Sequence, residues 1–173
     1  MTARPPHPIL NLDAVEFVDY ERGSPGADPE RYGSRRGAVG PRIGATQLGY
    51  NVTVIAPGKR AFPAHHHAVN EEMFFILEGQ GEVRIGDAVH PLRAGDFIAC
   101  PAGASDTAHQ IRNTGTADLK YIAVSTMRYP EVVGYPDSGK FGVRADLPGP
   151  AGTRENFVYI GRAGESHDYW EGE

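Results

Sequence analysis

One cysteine, Cys100, stands in a chain of 173 residues, so no disulfide framework can brace the fold from within. Long apolar runs are missing too. No stretch approaches the ~20 apolar residues of a membrane span, and "MTARPPHPIL" (1–10) lacks an apolar core of signal-peptide length. These absences predict a soluble cytoplasmic protein. Clustered positive charge is also scarce. The net charge is −5, and the most basic stretch, "GSRRGAVGPR" (33–42), sits among Gly and Pro with no aromatic interleaving. Neither nucleic acid nor an anionic membrane surface is therefore expected as a partner. Long helical patterns are absent as well: 22 Gly and 14 Pro punctuate the chain at short intervals, the rhythm of short strands joined by turns. What is present, 40% hydrophobic residues in a single-domain length, suffices for one sizeable core.

The strand signal starts at Ile43. "IGATQLGYNVTVIAPG" alternates and is rich in β-branched residues. "EMFFILEG" (72–79), a hairpin over 81–92 turning at Gly86-Asp87, "GDFIACP" (95–101), "AHQIRN" (108–113) and "LKYIAVSTM" (119–127) follow. Short antiparallel strands in such succession predict an all-β fold, a closed barrel or a two-sheet sandwich. Residues 1–42 read as an N-terminal arm, with 21–42 as Gly/Pro/Arg-rich loop and "NLDAVEFVDYE" as either a short strand or one helical turn. Residues 43–128 read as the barrel, and 129–173 as a C-terminal extension wrapped over it, with "NFVYIG" as one last strand.

Chemistry concentrates in "FPAHHHAVNEEMFFILEG" (62–79). Strand alternation puts His65 and His67 on one face and His66 on the other. It likewise separates Glu71 from Glu72, Phe74, Ile76 and Glu78, with Met73, Phe75 and Leu77 opposite. Two imidazoles and a carboxylate inside an apolar barrel are costly unless paired or bound to a cation. A divalent metal is the economical answer; imidazole suits Zn, Cu, Fe and Ni, and an added carboxylate admits Mn. His109 is the candidate for a further ligand. By alternation Phe74, Ile76, Ile111 and Tyr50 or Gln47 are candidates to line a pocket. Cys100, flanked by apolar residues, reads as a buried inert thiol. Asn113 reads as fixing the turn "RNTG", Asp137 as a turn cap, and Lys140 as a surface lysine with the reach to meet a substrate anion. His90, His7 and His167 carry little signal, and His66 and Glu71 read as outward residues.

Two spaced motifs give the cluster a family likeness. Gly58, His65, His67, Glu72 and Gly79 resemble the first motif of the cupin superfamily, and Gly95, Pro101, Gly103, His109 and Asn113 its second. Six residues separate Glu72 from Gly79, which selects Glu72 over Glu71. Five residues, "ASDTA", stand between Gly103 and His109 where the family has two. The two motifs cover 58–113, about a third of the chain. The resemblance implies a double-stranded β-helix (jelly-roll) barrel holding one divalent metal, Fe, Mn, Ni or Zn, through His65, His67, Glu72 and His109. It implies no catalytic residue beyond that centre. It also implies a homodimer formed through outer faces and N-terminal arms, which the outward Met73, Phe75 and Leu77 suit. "YPDSGK" (135–140) resembles a segment of small bacterial single-domain cupins. The implied function is a metal-dependent enzyme on a small polar organic molecule, of dioxygenase, decarboxylase or isomerase type. The alternative is a metal-containing binding or sensing module.

Overall fold

Alternating apolar residues become short strands throughout the computed structural model, which describes residues 7–20 and 26–173. Parts of the expected N-terminal arm, residues 1–6 and 21–25, lie outside the described residues. In chain order the elements are β1 (Val18–Asp19), β2 (Ser34–Ala38), a single helical turn α1 (Gly40–Ile43), β3 (Leu48–Ile55), β4 (His66–His67), β5 (Glu72–Glu78), β6 (Gln80–Ile85), β7 (Ala88–Arg93), β8 (Phe97–Cys100), β9 (His109–Arg112), β10 (Leu119–Thr126), β11 (Glu131–Tyr135), β12 (Lys140–Pro148) and β13 (Arg154–Arg162).

One layer is a six-stranded sheet in the order β1-β2-β3-β10-β5-β8. The other is built from a four-stranded sheet, β13-β12-β11-β4, and a three-stranded one, β7-β6-β9. An antiparallel bridge between His65 and His109 joins these two, so the second layer closes at the histidines. The result is a mostly-β jelly roll. Its core packs Ile55, Ile76, Val83, Leu92, Ile98, Ile111, Leu119 and Tyr121 between the layers. Ile55, Ile76 and Leu119 are fully buried, each worth about 1.5–3 kcal/mol relative to an exposed side chain.

Three segments differ from the sequence expectation. The strand signal read from Ile43 begins at Leu48, because Pro41 starts α1 and Gly44, at φ +84, ends it. The expected loop over 21–42 contains β2, which pairs with β3 from Ser34↔Ile55 to Ala38↔Asn51. Gly37 makes this possible: a Cβ there would collide with Val15, which the preceding arm lays across the strand. The segment after 128, read as a wrap with one last strand at "NFVYIG", has that strand within β13 and two more before it, forming a three-stranded meander. Its strand β11 pairs directly with β4, so the C-terminal part builds one wall of the histidine cluster. "NLDAVEFVDYE" forms both structures considered for it, a 3-10 turn at Leu12–Ala14 and then β1.

Candidate metal centre

Three strands deliver the cluster. His65 and His67 flank His66 where β4 meets β11, Glu72 opens β5, and His109 opens β9. Alternation turns His65 and His67 inward. His66 turns away, but it is half-buried and not an outer surface residue: its Nδ1 donates to the Gly103 carbonyl at 3.0 Å. A Cβ on Gly134 would strike the His66 ring, so glycine on β11 is what admits the imidazole. Glu71 is exposed, and its backbone N–H donates to Thr126 Oγ1 at 3.1 Å.

The five residues between Gly103 and His109 are absorbed locally. Ser105–Thr107 form a 3-10 turn. The chain then returns in register, with His109 N–H donating to His65 O at 2.8 Å and His65 N–H to His109 O at 3.2 Å. The longer turn therefore leaves His109 in place.

All three imidazoles aim Nε2 at one carboxylate oxygen. Glu72 Oε2 lies 3.0 Å from His109 Nε2, 3.5 Å from His67 Nε2 and 3.8 Å from His65 Nε2. Their Nδ1 atoms face acceptors. His65 Nδ1 donates to Pro63 O at 2.9 Å, His109 Nδ1 lies 3.4 Å from Thr107 O, and His67 Nδ1 lies 3.7 Å from Glu131 Oε2. A carbonyl oxygen only accepts, so a hydrogen on Nδ1 leaves Nε2 as a free lone pair. Lone pairs converging on a carboxylate repel one another unless a positive charge sits among them, supplied by protons or by a metal. His67 adds a second sign: both its ring nitrogens are buried without a hydrogen-bond partner. His65, His67 and Glu72 present one donor atom each within 4.8 Å of one another, a group that could hold a metal ion. The donor set fits a borderline divalent cation.

The electrostatics match. Burial opposes the Glu72 charge, yet the imidazoles of His109, His65 and His67 facing it outweigh that cost and hold the carboxyl far below the usual range. Burial likewise opposes the charge on His67, but Glu72 and then Glu131 outweigh it and raise the imidazole. Glu131 is itself 2% exposed. It accepts from the backbone of Ala68, Val69 and Asn70 at 3.0, 3.2 and 2.9 Å, and from the Asn70 side chain. This carboxylate thus ties the β4–β5 turn to β11 and faces His67. The sequence reading passed over Glu131 because its segment looked like a wrap; alternation in "EVVGY" puts Glu131, Val133 and Tyr135 on one face and was the available signal.

A cavity of about 470 Å³ opens over the cluster, lined by His65, His67, Glu72, His109, Phe74 and Ile111 among others. Its floor is aromatic: Phe74 lies 5.5 Å from His109 and 5.5 Å, edge-on, from Tyr121. A second cavity, of about 700 Å³, shares Arg36, His67, Glu72 and Arg144 with the first and is also lined by Tyr50, Asn70 and Glu131. Phe74, Ile111 and Tyr50 therefore lie on cavity walls. Ile76, fully buried one pleat deeper, belongs to the packed core, and Gln47 is exposed in the loop before β3; neither is on the wall of these two cavities. Asn113 holds its turn, donating to Ile55 O and Ala117 O at 2.8 Å and accepting from Gly115 N–H at 2.9 Å. Cys100 is buried, and burial, followed by the Glu72 charge, pushes its thiol up to about 12.

Comparison with known proteins agrees with this geometry. Residues 51–125 match the family described as Cupin domain. The fold superposes on a sugar phosphate isomerase from a cupin superfamily in Silicibacter pomeroyi with a TM-score of 0.71, at 25% identity, covering 92% of this chain and 95% of that one. Protein SchB of Streptomyces halstedii is 35% identical over 79 residues, 46% of this chain and 54% of SchB. An oxalate-binding protein of Thermotoga maritima is 37% identical over 60 residues, 35% of this chain and 47% of that protein. The matched part thus spans about half the length of these curated relatives.

Proposed function

On the premise that this chain belongs to the cupin superfamily, we propose that it is a metal-dependent enzyme acting on a small polar organic molecule. One divalent ion, Fe, Mn, Ni or Zn, is held by His65, His67, Glu72 and His109. The observation that carries this reading is the convergence of three Nε2 atoms on Glu72 Oε2 at 3.0–3.8 Å, beneath an accessible cavity. When bound, such an ion supplies Lewis-acid polarisation of a coordinated oxygen. The protein's own groups do the rest. Glu131 orients His67, Pro63 O orients His65, and Phe74 with Tyr121 closes the floor against water. Cys100 is too buried and too basic to serve as a nucleophile. Dioxygenase, decarboxylase and isomerase chemistry all fit such a centre, and the isomerase from Silicibacter pomeroyi supports including the last.

The oxalate-binding relative favours a second reading, a binding or sensing module that holds its ligand without turnover. Loading the protein with Fe(II), Mn(II) or Ni(II) and screening oxygen uptake and product formation separates the two. Turnover that vanishes in Glu72→Gln supports the enzyme; tight, saturable binding with no turnover under any metal supports the binder.

The assembly proposed is a homodimer through the outer face of the six-stranded sheet. There Met73, Phe75 and Leu77 are half-buried, and the ring of Phe97, 73% exposed, lies 4.4 Å from that of Phe75 at a 40° tilt. Light scattering should give twice the chain mass, and Phe97→Glu should shift it toward the monomer; a monomeric wild type at micromolar concentration removes this assembly.

A further inference from the structure

The chain is acidic overall, yet the cavity over the cluster gathers cations. Arg36, Lys140 and Arg144 all line it, and Glu72 is its one carboxylate among the described residues. Neighbouring basic residues are neutralised. Arg35 faces Asp118 at 2.9 Å, Arg84 faces Asp137 at 2.8 Å, Arg112 faces Glu82 at 3.6 Å and Arg154 faces Asp146 at 2.9 Å. Arg36, Lys140 and Arg144 have no carboxylate partner among the described residues.

Strand geometry explains the split. Arg35 and Arg36 are adjacent on β2 and point to opposite faces. Arg36 pairs across to Thr53, and Thr53 to Tyr121, which is the inward row; Arg35 pairs to Val54 in the outward one. On β12, Lys140 and Arg144 share a face with Gly142 between them, opposite Tyr135, Glu131 and Val133 of β11. Aromatic rings steady two of the cations: Arg36 lies 5.9 Å from the Tyr20 ring centroid, and Lys140 Nζ 5.9 Å from that of Tyr135. The "YPDSGK" turn is itself clamped. Asp137 is engaged by Arg84 of β6 through both carboxylate oxygens, and so does not neutralise Lys140.

We propose that Arg36, Lys140 and Arg144 form an anion-holding mouth over the His/Glu cluster, so that the substrate is a small molecule bearing a carboxylate or a phosphate. This rests on the cluster being a small-molecule site. The three cations hold the anionic group while the remainder of the molecule reaches Glu72 and the imidazoles. A cleft whose three cations outnumber its one carboxylate also concentrates counter-charged substrate.

Calorimetric titration of the full chain with malonate, inorganic phosphate and neutral malonamide tests the proposal, on protein as purified and again after chelator dialysis. Malonate or phosphate should bind saturably, more weakly at high salt, and malonamide should not. Tighter malonate points to a carboxylate substrate, and tighter phosphate to a phosphorylated one. Arg36→Met, Lys140→Met and Arg144→Met should each weaken the anion about tenfold or more, with unchanged metal content and thermal melting. Equal binding of malonamide, or unchanged affinity in all three variants, overturns it. The metal reading fails separately: His65→Ala would keep its metal while the chelated protein still loses anion affinity on Arg36→Met.

Discussion

Two inward positions of strand β5, Ile76 toward one end and Glu72 at the other, lie four residues apart and do opposite work. At Ile76 the strand is wrapped by Ile55, Leu119, Val83 and Tyr121, with no exposed surface. At Glu72 the same inward face meets three imidazoles and two cavities. One pleat and one alternation thus give a dry end that stabilises and a polar end whose charges need a counter-ion. Phe74 is the boundary, touching Tyr121 on one side and His109 on the other. The apolar burial around Ile76 offsets the cost of gathering buried charge at Glu72.

Substitutions should separate the ends. Ile76→Ala should cost about 2–5 kcal/mol in denaturant unfolding by leaving a cavity, with metal stoichiometry unchanged in the folded fraction; metal loss in the folded protein would mean the ends are not independent. Glu72→Gln should reduce metal affinity more than ~100-fold, beyond what outer-shell changes give, as read by competition with a chromogenic chelator. Glu131→Gln, which touches His67 from behind, should reduce it about 10–100-fold, and an effect as large as that of Glu72→Gln would make Glu131 a ligand. The smallest effect is expected at Cys100. Its thiol should resist iodoacetamide at pH 8 in the folded protein and react after unfolding; rapid alkylation of the native state would show that the packing beside Glu72, which Cys100 faces across the β5–β8 pair, is open.

Much of the polar end was legible. Alternation alone separated His65 and His67 from His66, and motif spacing separated Glu72 from Glu71, because strand period is a local property. His109 was legible as a residue, but its register was not: five residues stand in the preceding turn, and only the 3-10 turn at Ser105–Thr107 restores the bridge to His65. Glu131, Arg36 and Arg144 were not found, because they reach the site from β11, β2 and β12, strands hidden in Gly/Pro-rich segments whose pairing is long-range. Ile76 and Phe74 share a face and a residue class, so pattern could not tell the core residue from the wall. Gln47, one residue before the strand starts at Leu48, lies outside the walls of the two cavities.

Elemental analysis of protein purified without chelator tests the central claim most directly, comparing wild type with His65→Ala, Glu72→Gln and His109→Ala. One divalent ion per chain, lost in all three variants while they remain folded, is the predicted result. Metal content unchanged by the three substitutions would contradict it.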